Sequence, residues 1–227
     1  MLRAIIFDCD GVIADTEPLH LATFQKVLAE EGIPLTEKDY FDRYLALDDR
    51  GCFTQAHADC AKELSPDKLS ELIRRKAVYV ETVMRERLEL FPGVAAFIRE
   101  AAIRYPLAVA SGALRHEIEL ILHHGGVKGY FQAVVSAEDV TRGKPHPEPF
   151  LKALALINAA RGESIEPRHC LVIEDSIHGV RAAHEAGMLC LAVTNSYERG
   201  ALSEAEMVVE SLEGLTLSEI ETLIEKE

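Results

Sequence analysis

Asp8 and Asp10, two carboxylates two positions apart in Phe-Asp-Cys-Asp-Gly, close an apolar run near the start of the chain. In a strand, residues i and i+2 point the same way, so the two acids project together while Cys9 faces the other side. Like charges so placed repel, and the pair persists only with a cation, a shared proton or both. Gly11 behind them lets the backbone turn close to a ligand. Taken alone, the pair is also explained by one acid capping the next turn and the other being solvated.

Three later positions favour the chemical reading. Ser111-Gly112 ends the run Leu-Ala-Val-Ala-Ser just before a helical pattern, where a hydroxyl and free backbone amides make an anion site, although a plain serine cap gives the same pattern. Lys144 stands in Arg-Gly-Lys-Pro-His-Pro-Glu-Pro-Phe, where Pro145 fixes the backbone; a solvated loop lysine is the ordinary alternative. Glu174-Asp175 ends the apolar run Cys-Leu-Val-Ile-Glu, followed by Ser176 and a helix start containing Gly179. Two acid pairs at one sheet edge call for a hard divalent cation with oxygen ligands, most simply Mg²⁺.

The elements that must hold these residues are short apolar runs at 3–7, 107–111, 133–136, 170–174, 189–193 and 207–209. Near-continuous apolar runs suit strands covered on both faces of a parallel sheet. Helical patterns at 113–124, 146–160 and 177–186 alternate with them, the last carrying Val180, Ala183 and Ala186 as a buried stripe. The alternation predicts an α/β fold, a Rossmann-like doubly wound parallel sheet whose first strand is central. Between the first two runs lie about a hundred residues with helical patterning and no convincing strand. A helix is predicted over 17–31, with Pro18 at N1 and a stop at Gly32, and another over 66–88 after Ser65-Pro66. Residues 1–15 and 89–227 are therefore assigned to the α/β core and 16–88 to an inserted helical cap, with hinges near Ala14 to Glu17 and Leu88 to Phe91. A cap that closes would exclude bulk solvent during the reaction.

Composition narrows the partners. The chain has 227 residues, 48% of them hydrophobic, and a formal charge of -14, the wrong sign for affinity resting on nucleic-acid phosphates or anionic lipid. Its five scattered cysteines include no Cys-x-x-Cys pair, which fits a reducing cytoplasm and neither a disulfide framework nor a zinc site. No apolar run approaches a membrane span, and no signal-peptide pattern opens the chain. An anionic substrate would have to be held by local positive charge, and a monomer suffices for the chemistry.

The stretches Phe-Asp-Cys-Asp-Gly-Val-Ile-Ala-Asp-Thr-Glu-Pro-Leu-His, Ala-Ser-Gly-Ala, Lys-Pro-His-Pro-Glu-Pro-Phe and Ile-Glu-Asp-Ser-Ile-His-Gly-Val-Arg-Ala-Ala-His-Glu-Ala-Gly-Met occur in an order that resembles the haloacid dehalogenase superfamily, in its helical-cap phosphatase and phosphomutase branch. The resemblance implies that Asp8 is a nucleophile that forms an aspartyl-phosphate, and that Asp10 serves as general acid and then general base. It implies Mg²⁺ held by Asp8, the backbone carbonyl of Asp10, and Asp175, with Glu174 ligating directly or through water. Ser111, Gly112 and Ala113 would hold phosphoryl oxygens and Lys144 would offset their charge. Cap positions His20, Arg50, in the loop Leu-Ala-Leu-Asp-Asp-Arg-Gly-Cys-Phe, and Lys76 would contact the rest of a small phosphate ester. Against that, Lys76 suits a solvated helix face, Arg50 an ion pair with Asp48 or Asp49, and His20 a partly buried helix position. The expected activity is a Mg²⁺-dependent phosphatase. A sugar phosphomutase of the β-phosphoglucomutase kind is the alternative, although relatives that hold a second phosphate carry Ser and Lys where this chain has Ala113 and Leu114; Arg50 or Arg115 would then have to take the distal phosphate. A haloalkanoate dehalogenase is disfavoured by the acid at position 10, and a non-catalytic binding protein by the intact set of Asp8, Asp10, Ser111, Lys144 and Asp175.

Overall fold

The structure is a computed structural model that describes residues 1–45 and 47–224. In chain order its strands are β1 (Ala4–Phe7), β2 (Ala14–Asp15), β3 (Glu89–Leu90), β4 (Leu107–Ala110), β5 (Phe131–Val135), β6 (Cys170–Glu174), β7 (Leu189–Val193) and β8 (Met207–Val209). The helices are α1 (Glu17–Glu30), α2 (Glu37–Asp39), α3 (Asp49–Asp59), α4 (Pro66–Arg87), α5 (Val94–Arg104), α6 (Arg115–His124), α7 (Glu148–Arg161), α8 (Ile177–Glu185) and α9 (Leu217–Ile224). By contact, the chain divides into two compact units, Met1–Asp15 with Glu89–Glu227 and Thr16–Leu88. No helix among the described residues is long and apolar enough to cross a membrane.

The larger unit is a six-stranded parallel sheet in the order β5-β4-β1-β6-β7-β8, an α/β fold with β1 central. Alternate residues of β1 serve opposite faces. Ala4 and Ile6 belong to a core with Phe150, Ala153 and Ile157 of α7 and Val180 and Ala183 of α8. On the other face Phe7 meets Phe97 of α5 edge-on, ring centroids 6.2 Å apart, and Phe131 at 5.7 Å. Burial on both sides is why these strands read as unbroken apolar runs.

The segments where the chain leaves and re-enters this unit pair as an antiparallel ribbon, Ala14 opposite Leu90 and Asp15 opposite Glu89. The smaller unit is helical. Its core joins Leu21, Phe24, Val27 and Leu28 of α1 to Phe53 and Ala56 of α3 and Leu69 and Leu72 of α4. Ser65 accepts the Lys68 N–H at 3.2 Å to open α4, with Pro66 at the first helical position where no N–H is needed.

Several sequence expectations need correction. Pro18 is the second residue of α1, not the first, because Thr16 is the N-cap. Helix α6 starts at Arg115 rather than 113, since Ser111 to Leu114 form the turn that carries the site. Arg50 lies not in a loop but in the first turn of α3, because the Asp48 carboxylate accepts the Gly51 N–H at 2.7 Å and starts a helix there. Helix α5 and the β2–β3 ribbon have no counterpart in the sequence reading. A two-residue strand leaves no periodicity to read, and Phe-Pro-Gly before α5 reads as loop although Gly93, at φ 77°, is its N-cap.

Candidate active site

Phe7 stands in register with Val109 of β4 and with Ile173 of β6. The next residues, Asp8, Ala110 and Glu174, therefore form one row at the carboxyl edge of the sheet, and the Asp8 N–H donates to the Ile173 carbonyl at 2.9 Å. Strand order reverses direction at this place: β4 and β5 lie on one side of β1, β6 to β8 on the other. Open α/β sheets leave a crevice at such a switch point.

Carboxylate oxygens of Asp8, Glu174 and Asp175, all buried, lie within 4.8 Å of one another. The Lys144 ammonium stands 2.9 Å from Asp8 Oδ1 and 2.5 Å from Glu174 Oε1, with its side chain 12% exposed. The second contact is a hydrogen bond. The first has the distance of an ion pair but not the direction of a hydrogen bond, so Asp8 Oδ1 is a buried acceptor without a hydrogen-bonding partner. Glu174 Oε2 accepts from the Asp175 and Ser176 N–H groups at 2.8 and 2.9 Å and from the Ser176 hydroxyl at 2.9 Å. Both Glu174 oxygens are thus committed within the chain.

Burial pushes the Asp8 carboxyl up to about 7, the charges of Glu174 and Asp10 add to this, and Lys144 opposes it. Burial also holds the Asp175 carboxyl well above the usual range, again with Glu174 and Asp8 contributing. For Glu174 burial acts upward too, but Lys144 and the backbone amides outweigh it and leave the carboxyl below its ordinary value. Burial opposes the Lys144 charge, yet Asp8 and Glu174 outweigh that cost and raise its affinity for the proton. Three clustered carboxylates around one ammonium form an oxygen donor set that fits a hard divalent cation.

Asp10 is held differently. Its Oδ2 accepts the Ser111 hydroxyl at 3.3 Å, and its carboxylate is not among the clustered oxygens. Ser111 in turn accepts the Ala113 N–H at 3.1 Å, while a Cβ added to Gly112 would meet nothing within 4 Å. The next two amides are occupied by acids: Leu114 N–H donates to Glu117 Oε2 at 3.0 Å and Arg115 N–H to Glu138 Oε2 at 2.8 Å. The Arg115 guanidinium pairs with Asp139 and donates to the Val134 carbonyl at 3.1 Å.

Within the helical unit, His20, on α1, and Lys76, on α4, come together. Lys76 is only 2% exposed, so its run of basic neighbours does not make it a solvated face. Its ammonium binds Asp49 at 2.5 Å, donates to His20 Nδ1 at 3.1 Å and lies 4.1 Å from the Phe24 ring centroid. Arg50, exposed on α3, pairs with neither Asp48 nor Asp49, which are spent on the helix cap and on Lys76.

Sequence reasoning noted Gly179 without its role and missed Asn195 and Ser196. A Cβ on Gly179 would lie 1.8 Å from the Glu174 carboxyl carbon, so only glycine leaves room for that side chain. Asn195 and Ser196 follow β7 at the same edge and bond to Gly11 and Asp175. The signal available for them was their place just past a strand end.

Residues 5–193 match the family model described as haloacid dehalogenase-like hydrolase. The chain is 33% identical over 186 residues to fructose-1-phosphate phosphatase YqaB of Escherichia coli, covering 81% of this chain and 92% of that protein. It is 32% identical over 190 residues to a phosphorylated carbohydrates phosphatase of Thermotoga maritima, covering 82% of each. Among solved structures, β-phosphoglucomutase from Clostridium difficile superposes with a TM-score of 0.84 at 23% identity, covering 100% of this chain and 98% of that one, a likeness of fold. With most of its length matched by that model and with phosphatases among its relatives, the chain belongs to the haloacid dehalogenase-like hydrolases.

Proposed function

We propose that the protein is a Mg²⁺-dependent phosphomonoesterase acting on a small phosphorylated sugar or related metabolite. The observation that carries this reading is Asp8, a buried carboxylate clustered with Glu174 and Asp175 and set against Lys144 at the switch point of the sheet. In this reading an Asp8 oxygen bonds to phosphorus as the bond from phosphorus to the ester oxygen breaks, and Asp10 delivers a proton to the departing oxygen. Asp10 then takes a proton from the water that attacks the aspartyl-phosphate, releasing inorganic phosphate and restoring Asp8. Ser111 and the Gly112 amide hold phosphoryl oxygens, the Ala113 N–H being bonded to the Ser111 hydroxyl, and Lys144 balances their charge. Asp8, the Asp10 carbonyl and Asp175 would hold the metal, with Glu174 fixing Lys144 beside it. When bound, Mg²⁺ supplies positive charge to the nucleophile and the phosphoryl oxygens together. Thr16–Leu88 is the cap in this reading, and exposed Arg50 is its candidate for contact with the unreacting part of the substrate, while His20 and buried Lys76 are engaged with each other and Lys76 with Asp49.

Hydrolysis is favoured over mutase chemistry by the start of α6. The Leu114 and Arg115 amides and the Arg115 guanidinium are already held by Glu117, Glu138 and Asp139, which disfavours Arg115 as the group for a second phosphate and leaves exposed Arg50 for that role in a mutase. The test is phosphate release from a panel of sugar monophosphates with Mg²⁺, beside an assay for conversion of β-glucose 1-phosphate to the 6-phosphate. Release that stops with a chelator and returns with Mg²⁺ is expected; isomerisation faster than release overturns the reading.

A further inference from the structure

The segment after β7 reaches two strand ends at once. Asn195 Nδ2 donates to the Gly11 carbonyl at 2.7 Å, and the Ser196 hydroxyl donates to Asp175 Oδ2 in a short hydrogen bond. Gly11, at φ 73°, is wedged between them: a Cβ there would lie 1.9 Å from Asp175 Oδ2 and 3.1 Å from Ser196 Oγ. The neighbouring charges of Glu174 and Asp8 both repel the Asp175 carboxylate, and its terminal torsion is soft. The Ser196 hydroxyl is the one hydrogen-bond donor to that side chain among the described residues.

We infer that Ser196 is a positioning residue for cation binding, fixing the Asp175 carboxylate through Oδ2 so that Oδ1 is presented as a ligand. Asn195 does the companion task of holding the turn directly after Asp10, whose carbonyl belongs to the proposed ligand set. The inference rests on the metal-dependent reading above. Partners that orient a metal ligand are worth roughly 10- to 100-fold in metal affinity, and nothing else on Asp175 takes over that role.

The experiment is calorimetric titration of the full chain with Mg²⁺ and no substrate, for the wild type, Ser196→Ala and Ser196→Thr, with folding checked by circular dichroism. Ser196→Ala is expected to weaken Mg²⁺ binding by about tenfold and to raise the Mg²⁺ needed for half-maximal phosphate release by the same factor, with kcat at saturating Mg²⁺ within about threefold. Ser196→Thr, which keeps the hydroxyl, is expected to restore the affinity. Should Ser196→Ala fail to fold, Ser196→Thr and Ser196→Val, alike in shape, carry the same comparison. Equal Mg²⁺ affinity with and without the hydroxyl overturns the inference alone. A wild type that binds Mg²⁺ but releases no phosphate overturns the proposed function and leaves this inference to the titration; a wild type that binds no Mg²⁺ overturns both.

Discussion

Lys144 and Lys76 are both drawn out of solvent, and their surroundings differ in balance. Lys144 shares its place with Asp8, Glu174 and Asp175, so once all three carboxyls are ionised negative charge is in excess. Lys76 has one carboxylate, the lone pair of His20 and the face of Phe24, a set that satisfies it. Buried charge in excess is unstable until something arrives to neutralise it. The sheet edge thus calls for a proton or a cation, whereas the helical cluster carries its own counter-charge.

Asp8→Asn breaks the contrast most severely. Turnover is expected to fall by ~10³-fold or more, because the side chain proposed to take the phosphoryl group is gone. Stability moves the other way. The Asp8 carboxyl titrates near 7 when folded against 3.8 when unfolded, so over that interval the unfolded chain gives up a proton the folded one keeps. Without metal the protein therefore loses stability as pH rises from about 4 to about 7. Asn does not titrate, and above pH 7 the metal-free variant is expected to be more stable than the wild type by on the order of 1 kcal/mol. Denaturant unfolding in chelator reads this, and a variant less stable than the wild type above pH 7 would remove the excess-charge argument.

Lys76→Met sharpens the comparison with a smaller effect. Methionine fills the space over Phe24 but leaves Asp49 alone. Because that carboxylate is 37% exposed, it can regain water, and a loss of about 1 kcal/mol is expected rather than the several of a fully buried pair. Mg²⁺ affinity is expected to stay as it was. A loss of stability as large as that for breaking a dry ion pair would show the helical cluster to be no better balanced than the sheet edge.

How much of this was legible depended on where the information lies. Cys170–Glu174 and Leu189–Val193 emerge with the ends read from sequence, since residues buried on both faces leave an unbroken apolar signal. Asp8, Ser111 and Glu174 were visible because each stands at or just past a strand end, and sheet register carries Asp8 and Glu174 into one row; Lys144, in the loop before α7, was visible through its place in Lys-Pro-His-Pro. The solvated-face alternative for Lys76 fails because its burial comes from α1 and α3, segments far away in sequence. Arg50 was set in a loop because Asp-Asp-Arg-Gly reads as a turn until Asp48 is seen to cap α3. Gly179 and Ser196 act through a close approach and a single hydrogen bond, which no periodicity records.

The smallest effect lies in the proton balance of the helical cluster. Burial, and after it the Lys76 charge, push the His20 imidazole down to about 3, against 6.5 for the unfolded chain. Between those values the unfolded histidine takes a proton that the folded one refuses, so its contribution falls as pH drops below 6.5, by at most ~1.4 kcal/mol per pH unit. Carboxylates held below their ordinary range, such as Glu30 and Glu31, destabilise only at lower pH, while Asp8 has the opposite slope between about 4 and 7, so His20 is read from the difference between two chains that both carry Asp8. Between pH 6.5 and about 5 the stability of His20→Asn relative to the wild type is expected to rise as pH falls, and Lys76→Met is expected to raise the His20 titration midpoint part of the way back, as read by NMR of the ring. The recovery is partial because burial outweighs the ammonium. A midpoint unmoved by Lys76→Met would mean that the two side chains do not share a proton balance, and the cluster would lose the self-sufficiency that sets it apart from the sheet edge.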